Sequence, residues 1–407
     1  MKPDDVAVTG IGLITPAGTG AEENWATLLR GESTARTEPA MAGMPVDFAC
    51  AVPGFDPRQA VGRTAWRMDR FVQMAVAAAR QAVADAALDP GTWDAPRVGV
   101  VIGVGSTSME TWMTESAKVH AGRPAAVSPL AIPRSVPNMA AGEIAIDLGA
   151  QGPNLATCTA CASGATALGT AMALLRSNAC DIVLAGGSEA PRACPVTALC
   201  FSRMTALSTR TQDPAGASRP FDADRDGFVL GEGAGVLVLE RARHARARRA
   251  PVRAHLAGYG ASADAYQPTA PEPGGRGLEA AMRAALHDAG LDAADIDHVN
   301  AHATSTQLND LIEATALGRV FKSPPPVTAS KSIIGHAIGG AGAIEAAFSV
   351  LALEHQVIPP TANLERQDPR IDLDVVTKVP RARQMRAVLS NSLGFGGQNA
   401  VLVITTP

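Results

Sequence analysis

The chain alternates between short apolar runs and longer alanine-rich segments. The apolar runs are rich in β-branched residues and several end in glycine; they occupy residues 6–10, 98–103, 182–187, 236–239 and 401–404, with another around Val299. Within 67–87, apolar residues recur at the spacing of one helix face. Strands that alternate with helices predict an α/β protein whose buried sheets are largely parallel and covered by helices.

Length and composition narrow the class of protein. The 407 residues exceed one ordinary core, so two domains or one large layered unit is expected. A net charge of −4 gives no reason to expect a nucleic-acid partner, and no apolar run is long enough to span a membrane. The 6 cysteines lack disulfide-scaffold spacing, and the N-terminus lacks a signal-peptide pattern. We therefore expect a cytoplasmic protein.

The chain divides into an N-terminal half, 1–250, and a C-terminal half, 251–407. Between them, 241–253 is crowded with arginine and is interpreted as a solvated helix and connector, with a basic docking site as the alternative. The halves also resemble each other, because Cys161-Ala-Ser-Gly-Ala and His336-Ala-Ile-Gly-Gly each begin an alanine-rich helix. If this is a duplication, a pseudo-twofold axis would bring Cys161 to face His336.

Cys161 is the candidate nucleophile. It lies among small residues just before a predicted helix, where unpaired N–H groups and the helix dipole stabilise a thiolate. A buried structural thiol is the alternative. Cys158 and Cys161 also form a CxxC pair, but a zinc site would need two more ligands at comparable spacing, and a thioredoxin-like motif would need a small domain of different layout.

Two further segments carry chemistry that a cysteine nucleophile would use. His302 follows an apolar strand, where ligand-facing residues of α/β sheets lie, and either histidine could take a proton or polarise a carbonyl. The glycine-rich turn 391–399 would let backbone N–H groups approach a substrate oxyanion. Alone, each also fits an ordinary polar residue or turn; together they indicate an active site.

Long ordered motifs across the chain resemble the elongating β-ketoacyl-(acyl carrier protein) synthases of fatty-acid and polyketide synthesis. They are 6–16 (VAVTGIGLITP), 138–142 (NMAAG), 219–235 (RPFDADRDGFVLGEGAG), 330–337 (SKSIIGHA) and 391–397 (NSLGFGG). The resemblance implies a thiolase fold, two similar halves stacked into five αβαβα layers. It also implies a decarboxylative condensation without a metal or redox cofactor, and acyl carrier protein as the partner.

The resemblance assigns roles to individual residues. Cys161 would carry the acyl group, and His302 and His336 would help to decarboxylate malonyl-carrier protein, with Lys331 beside them. The backbone N–H groups of Cys161 and Phe395 would form the oxyanion hole. The expected supporting residues, the last three of them candidate partners of Lys331, are Thr304, Thr306, Asp310, Glu313 and Glu345.

The resemblance also implies an acyl pocket and a docking surface. Ser106, Phe201 and Phe395 would line the pocket; the small Ser106 replaces a bulky aliphatic residue, which predicts a longer, unsaturated or oxygenated acyl chain unless the position is simply tolerant. An acidic carrier protein would need basic residues near the pocket, and the candidates are Arg63, Arg67, Arg70, Arg203 and Arg210.

Some alternatives stay open at this point. Related thiolases use a second cysteine in the active centre and priming synthases use a histidine and an asparagine, so His336 favours an elongating enzyme. Chain-length-factor subunits lack the nucleophile that Cys161 would supply. A condensing enzyme is therefore favoured over a non-catalytic partner subunit. Its pathway, fatty acid or polyketide, is open, as is its assembly, a homodimer or a heterodimer with a chain-length-factor-like subunit. Family members usually carry glycine at the position of Ala303.

Overall fold

The computed structural model describes residues 6–106 and 108–407. Its strands are Val6–Thr15 (β1), Gly18–Thr19 (β2), Arg36–Thr37 (β3), Phe48–Ala49 (β4), Val98–Gly103 (β5), Asn154–Thr157 (β6), Ile182–Glu189 (β7), Gly233–Arg241 (β8), Ala254–Ala263 (β9), His298–Asn300 (β10), Val327–Thr328 (β11), Val357–Ile358 (β12), Arg381–Ala382 (β13), Ala387–Gly394 (β14) and Gln398–Thr405 (β15).

The helices lie between these strands. They are Ala21–Arg30 (α1), Pro57–Val61 (α2), Arg70–Asp85 (α3), Met109–His120 (α4), Ala131–Ser135 (α5), Met139–Leu148 (α6), Ser163–Arg176 (α7), Pro195–Arg203 (α8), Ala242–Ala247 (α9), Arg276–Ala289 (α10), Gln307–Val320 (α11), Lys331–Ile334 (α12) and Ala341–His355 (α13). Short 3₁₀ turns lie at Pro39–Met41, Gly62–Arg67, Ala95–Arg97, Pro124–Ala126, Ala160–Ala162, Pro191–Ala193, Ala293–Asp295 and Ile338–Gly340.

The order of strands in the large sheet is symmetric about its centre. Its strand order is β11-β10-β14-β15-β9-β1-β8-β7-β5-β6, with β2 paired to β1. The central pair of strands is β1 and β9. Next to this pair lies the last strand of each half, β8 on one side and β15 on the other, and each edge of the sheet is formed by parallel strands, β5 with β6 and β10 with β11. This symmetry is what a duplicated half produces, and it confirms the predicted α/β class.

The helices and the two halves of the sheet form five layers. Helix α3 packs on the outer face of β1 and β8, and α10 packs on β9 and β15. Helices α7 and α13 pack against each other and contact strands of both halves, so they form the middle layer. The predicted αβαβα arrangement is therefore present, and the middle layer brings together the N-termini of the two similar helices.

The two middle helices meet through residues without room for larger side chains. A methyl group placed on Gly164 of α7 would lie 2.7 Å from the backbone nitrogen of Ala343 in α13. Both helices are built from small apolar residues, and almost all of α13 is buried. This close packing holds the segments before the two helices, which carry Cys161 and His336, on either side of one centre.

The sheet differs from the sequence prediction in direction. Parallel pairing is confined to its outer strands, whereas β1, β8, β9 and β15 pair antiparallel with their neighbours. The prediction of a largely parallel sheet is wrong because each half closes with a strand that returns along the sheet. Periodicity also missed β9 and β14, which are rich in small and polar residues, and the helix predicted from residue 67 begins at Arg70.

No helix within the described residues is both long enough and apolar enough to cross a membrane.

Candidate active site

One cavity of about 500 Å³ contains the residues predicted to carry the chemistry. Cys161, His302, His336 and Phe395 all line it. They come from both halves of the chain, and each lies next to the end of a strand or the start of a helix. The predicted pairing of Cys161 with His336 across the pseudo-twofold axis is therefore matched by a shared cavity.

Cys161 lies in the 3₁₀ turn immediately before α7 and is 7% exposed. Ser163 fixes this turn, because its hydroxyl donates to the Ala160 carbonyl at 2.6 Å and accepts from the Thr159 N–H at 3.0 Å. Ala160 has φ of 48°, a left-handed conformation that costs a non-glycine residue free energy. The strained turn directs the thiol into the cavity instead of into the helix.

Burial dominates the acidity of the Cys161 thiol. It raises the pKa to about 11, although the Lys331 charge and the N–H groups of Phe395 and Cys161 act in the opposite direction. The expectation of a stabilised thiolate is therefore wrong for the resting site, because desolvation outweighs the helix terminus. The thiol is protonated at neutral pH and needs a neighbouring base when it attacks.

Phe395 lies in the turn between β14 and β15. Its N–H and the N–H of Cys161 both approach the Cys161 sulfur, so the two groups expected to form an oxyanion hole lie together at the thiol. Gly394 permits this approach, since a methyl group there would lie 3.1 Å from the Cys161 nitrogen. The Phe395 ring lies 6.2 Å from the ring of Phe201, which also lines the cavity as predicted.

The two histidines are held by different elements. The His336 backbone forms an isolated bridge with Leu230, in which its N–H donates to the Val229 carbonyl at 2.8 Å. The turn after β10 holds His302, whose N–H donates to Glu313 at 2.9 Å. Ala303 also donates to Glu313 and has φ of 31°, which explains why glycine suits that position.

Both imidazoles are neutral at physiological pH. Burial, reinforced by the Lys331 charge, lowers the pKa of His302 and of His336 well below the usual value. The rings lie 5.3 Å apart at an interplanar angle of 85°, and both line the cavity that Cys161 also lines. A neutral imidazole can accept the thiol proton or donate its N–H to a developing negative charge.

Lys331 and Glu345 form a buried ion pair behind the histidines. The Lys331 ammonium lies 2.5 Å from a Glu345 oxygen, and each side chain is 1% exposed. Burial raises the pKa of Glu345 and of Glu313, while the Lys331 charge acts in the opposite direction on both. Glu345 is thus the direct partner of Lys331, as predicted. Glu313 accepts a hydrogen bond from the His302 N–H and interacts with Lys331 through its charge.

Asp310 is not a partner of Lys331, contrary to the prediction. Its carboxylate accepts from the N–H groups of Ser305 and Phe221 and lies 3.7 Å from the Arg225 guanidinium. It therefore fixes the backbone of the turn after His302. Thr304 and Thr306 line the cavity, and their hydroxyls lie 3.2 Å apart.

Ser106 does not line the cavity that contains Cys161. Its side chain is exposed and donates to Glu189 at 3.1 Å, beside a second, much smaller cavity. The prediction that Ser106 forms a wall of the catalytic cavity is therefore wrong for the single chain, because the carboxylate draws the loop after β5 to β7. Sequence reasoning also missed Glu189, although an acidic residue ending a buried apolar strand was a visible signal.

The five candidate docking arginines have different environments. Arg67 pairs with Glu143, Arg70 makes two hydrogen bonds to buried Glu232, and Arg210 is held by the Asp224 carbonyl, so all three have structural partners. Arg63 and Arg203 are exposed, so they remain the candidates for docking the carrier protein. Arg203 ends α8 and precedes Met204 and Thr205, which line the mouth of the cavity.

Comparison with known proteins places the chain in a family. The family model described as "Beta-ketoacyl synthase, N-terminal domain" matches residues 3–245, and the corresponding C-terminal domain matches residues 253–365. A "3-oxoacyl-[acyl-carrier-protein] synthase 2" of Rhizobium meliloti is 42% identical, over 98% of this chain and 98% of that protein.

Solved structures agree with this relationship. "The ishigamide ketosynthase/chain length factor" has a TM-score of 0.92 and 38% identity and covers 99% of both chains. A structure described as "AntDE:AntF (apo): type II PKS acyl-carrier protein in complex with its ketosynthase bound to the hexaketide" has a TM-score of 0.91 and 30% identity, with 100% of both chains covered. With its thiol, paired histidines and thiolase-type layers, this chain belongs to the β-ketoacyl synthase family.

Proposed function

We propose that this protein condenses malonyl-carrier protein with an acyl group held on Cys161, which lengthens the acyl chain by two carbons. The observation that carries this proposal is the single cavity in which a thiol, two neutral imidazoles and two converging N–H groups meet. Relatives named 3-oxoacyl-[acyl-carrier-protein] synthase support the same reaction class.

The first half-reaction transfers the acyl group to the enzyme. A neutral imidazole accepts the Cys161 proton as the sulfur attacks the thioester carbonyl of the acyl-carrier protein. The N–H groups of Cys161 and Phe395 stabilise the tetrahedral oxyanion, which collapses as the carrier thiolate leaves and takes up the proton. Because the imidazole takes the Cys161 proton during the attack, the reaction does not require a thiolate in the resting site.

The second half-reaction forms the carbon–carbon bond. Malonyl-carrier protein loses CO2, and the electron pair of the broken bond passes into an enolate whose oxygen accepts N–H donation from His302 and His336. The enolate carbon attacks the acyl-Cys161 carbonyl, the carbon–sulfur bond breaks, and the Cys161 thiolate takes up a proton from water. Lys331 lowers the pKa of both histidines, so it favours the neutral donors that this step requires.

We further propose that the working form is a dimer and that the two halves divide near residue 250, just before β9. Strand β6 lies at the edge of the large sheet and is mostly exposed, and an exposed edge strand can pair with another chain. Leu155 on this strand and Trp112 on α4 are exposed apolar side chains in the same half. The partner is a second copy or a chain-length-factor-like subunit, as in the ketosynthase/chain length factor relative.

A non-catalytic partner subunit is the alternative function. Cys161, His302 and His336 in one cavity favour the active enzyme, because a subunit without condensing activity has no need of a nucleophile with two imidazoles. We propose a cytoplasmic location, since all 6 cysteines are free thiols and a reducing compartment preserves them. The acyl chain belongs to a fatty-acid or a polyketide pathway.

Product analysis tests the proposed reaction directly. Malonyl-carrier protein is incubated with a series of acyl-carrier proteins, with this chain alone and with candidate chain-length-factor subunits, and the products are read by mass spectrometry. We expect 3-oxoacyl products two carbons longer than the acyl group supplied. Native mass spectrometry of the same samples identifies the homodimer or heterodimer that is active, and absence of extended product from every combination would contradict the function.

Charge reversal at Arg203 tests the docking surface. Arg203→Glu is expected to raise the KM for acyl-carrier protein about 3- to 10-fold at low salt with little change in kcat, because a rim charge steers association. Arg386→Glu is the matched control: Arg386 is also exposed but directly precedes β14, at the opposite end of that strand from Phe395. Equal KM values for Arg203→Glu and the wild type at low salt would remove Arg203 from the docking surface.

A further inference from the structure

A buried carboxylate that lines the second, smaller cavity has no role in the proposed reaction. Glu189 ends β7 and is 4% exposed. One of its oxygens accepts the N–H of Gly105 at 2.6 Å and the N–H of Gly339 at 3.3 Å, and the other accepts the Ser106 hydroxyl at 3.1 Å. The carboxylate therefore binds backbone from two segments that are far apart in sequence.

These two segments belong to different halves of the site. Gly105 follows β5, whose neighbour β6 leads directly to the turn of Cys161. Gly339 lies in the 3₁₀ turn that connects His336 to α13. Glu189 thus connects the segment beside the nucleophile to the segment that continues from a proposed catalytic histidine.

Direct backbone contact makes this connection sensitive to small shifts. A methyl group on Gly187 would lie 2.7 Å from the Gly339 carbonyl oxygen, and one on Gly105 would lie 2.9 Å from the Glu189 carboxylate. The Ile338 side chain also lies at Gly105, 3.0 Å from such a methyl group, but it is apolar and cannot accept the N–H groups that the carboxylate binds. Its hydrogen bonds are the polar link that sets the distance between the two segments.

We propose that Glu189 is a positioning residue that fixes His336 relative to Cys161 by hydrogen-bonding the backbone of both halves. The inference rests on the proposed condensation, in which the enolate held by the histidines must reach the acyl group on Cys161. A misplacement of about 1 Å at reacting atoms can cost on the order of 10²-fold in rate. Carbon–carbon bond formation therefore depends on Glu189 more than a step that uses one segment alone.

Charge and hydrogen bonding can be separated at this position. Glu189→Gln keeps an acceptor for the two N–H groups, and its amide can donate to the Ser106 hydroxyl, while the charge is lost. Glu189→Asp keeps the charge but is too short by one methylene to reach both segments. Glu189→Ala removes the link altogether. Positioning predicts that Gln preserves function and that Asp and Ala do not.

The experiment measures three rates for each variant: alkylation of Cys161 by iodoacetamide, decarboxylation of malonyl-carrier protein, and condensation. For Glu189→Ala and Glu189→Asp we expect condensation to fall about 10-fold or more and alkylation, in which an imidazole must also reach the Cys161 proton, to fall with it, while decarboxylation changes less than about 3-fold. Glu189→Gln should stay within about 3-fold of wild type in all three. Glu240→Gln, which changes a buried carboxylate on β8 bound to Thr9 and His244, is the control and should lower thermal stability without this selective loss.

Each contrary result has a distinct meaning. Equal losses in all three rates for Glu189→Ala and Glu189→Asp, or no loss in any of them, would overturn the positioning role. A Glu189→Gln variant as impaired in condensation as Glu189→Ala would assign the effect to charge and also overturn it. Failure of the wild type to condense at all would contradict the proposed function itself, whatever the variants do.

Discussion

Replacing Cys161 by alanine is expected to abolish condensation, with a loss of about 10³-fold or more in turnover. The acyl group then has no sulfur to which it can be transferred, whereas His302 and His336 remain in place. Decarboxylation of malonyl-carrier protein should therefore continue. The two activities are measured as 3-oxoacyl product by mass spectrometry and as CO2 released.

The matched control for this substitution is Cys158→Ala. Cys158 is exposed, and within the described residues its thiol makes a weak contact with the Gly105 carbonyl at 3.6 Å. We expect stability within about 0.5 kcal/mol of wild type and unchanged condensation. If Cys161→Ala kept full condensing activity, or if Cys158→Ala lost it, the nucleophile would be misassigned.

Replacing Lys331 by methionine is expected to lower the free energy of unfolding by about 3 kcal/mol, since it leaves Glu345 buried without its cation. The Lys331 charge also lowers the pKa of His302 and His336, so its removal should raise both. The histidines would then become protonated at higher pH. The acid limb of the pH profile of kcat/KM should move upward in pH, and chemical denaturation should report the stability loss.

Two variants separate these effects. In Lys331→Met/Glu345→Gln the orphaned carboxylate is gone, so part of the lost stability should return while the shifted pH profile persists. Arg366→Met removes an exposed ion pair with Asp224 and should change neither quantity measurably. An acid limb that stays at its wild-type pH in Lys331→Met would show that the Lys331 charge does not control the histidines.

Local sequence chemistry identified the components of the site better than their environments. Cys161, His302, His336 and Phe395 share a cavity as predicted, because helix starts and strand ends are encoded by nearby residues. The pKa of the thiol was predicted in the wrong direction, since the helix start is local but the burial that outweighs it comes from the whole fold. Sequence spacing carries no direct measure of desolvation.

Contacts between distant segments account for the other errors. Asp310 was expected to contact Lys331, but Arg225, which lies in a different motif, comes closer. The exposure of Ser106 depends on its bond to Glu189, and the pairing of Arg70 depends on Glu232. The antiparallel direction of the central strands likewise follows from how each half closes, which periodicity within one strand does not encode.

The order of the site residues along the chain has a consequence for biosynthesis. Cys161 precedes His302 and His336, and Phe395 lies between β14 and β15, the last strands of the large sheet. On the ribosome, the thiol is therefore made well before the imidazoles and the oxyanion hole exist. The nascent N-terminal half carries an unactivated cysteine, and acyl chemistry begins only when the final hairpin pairs with β9.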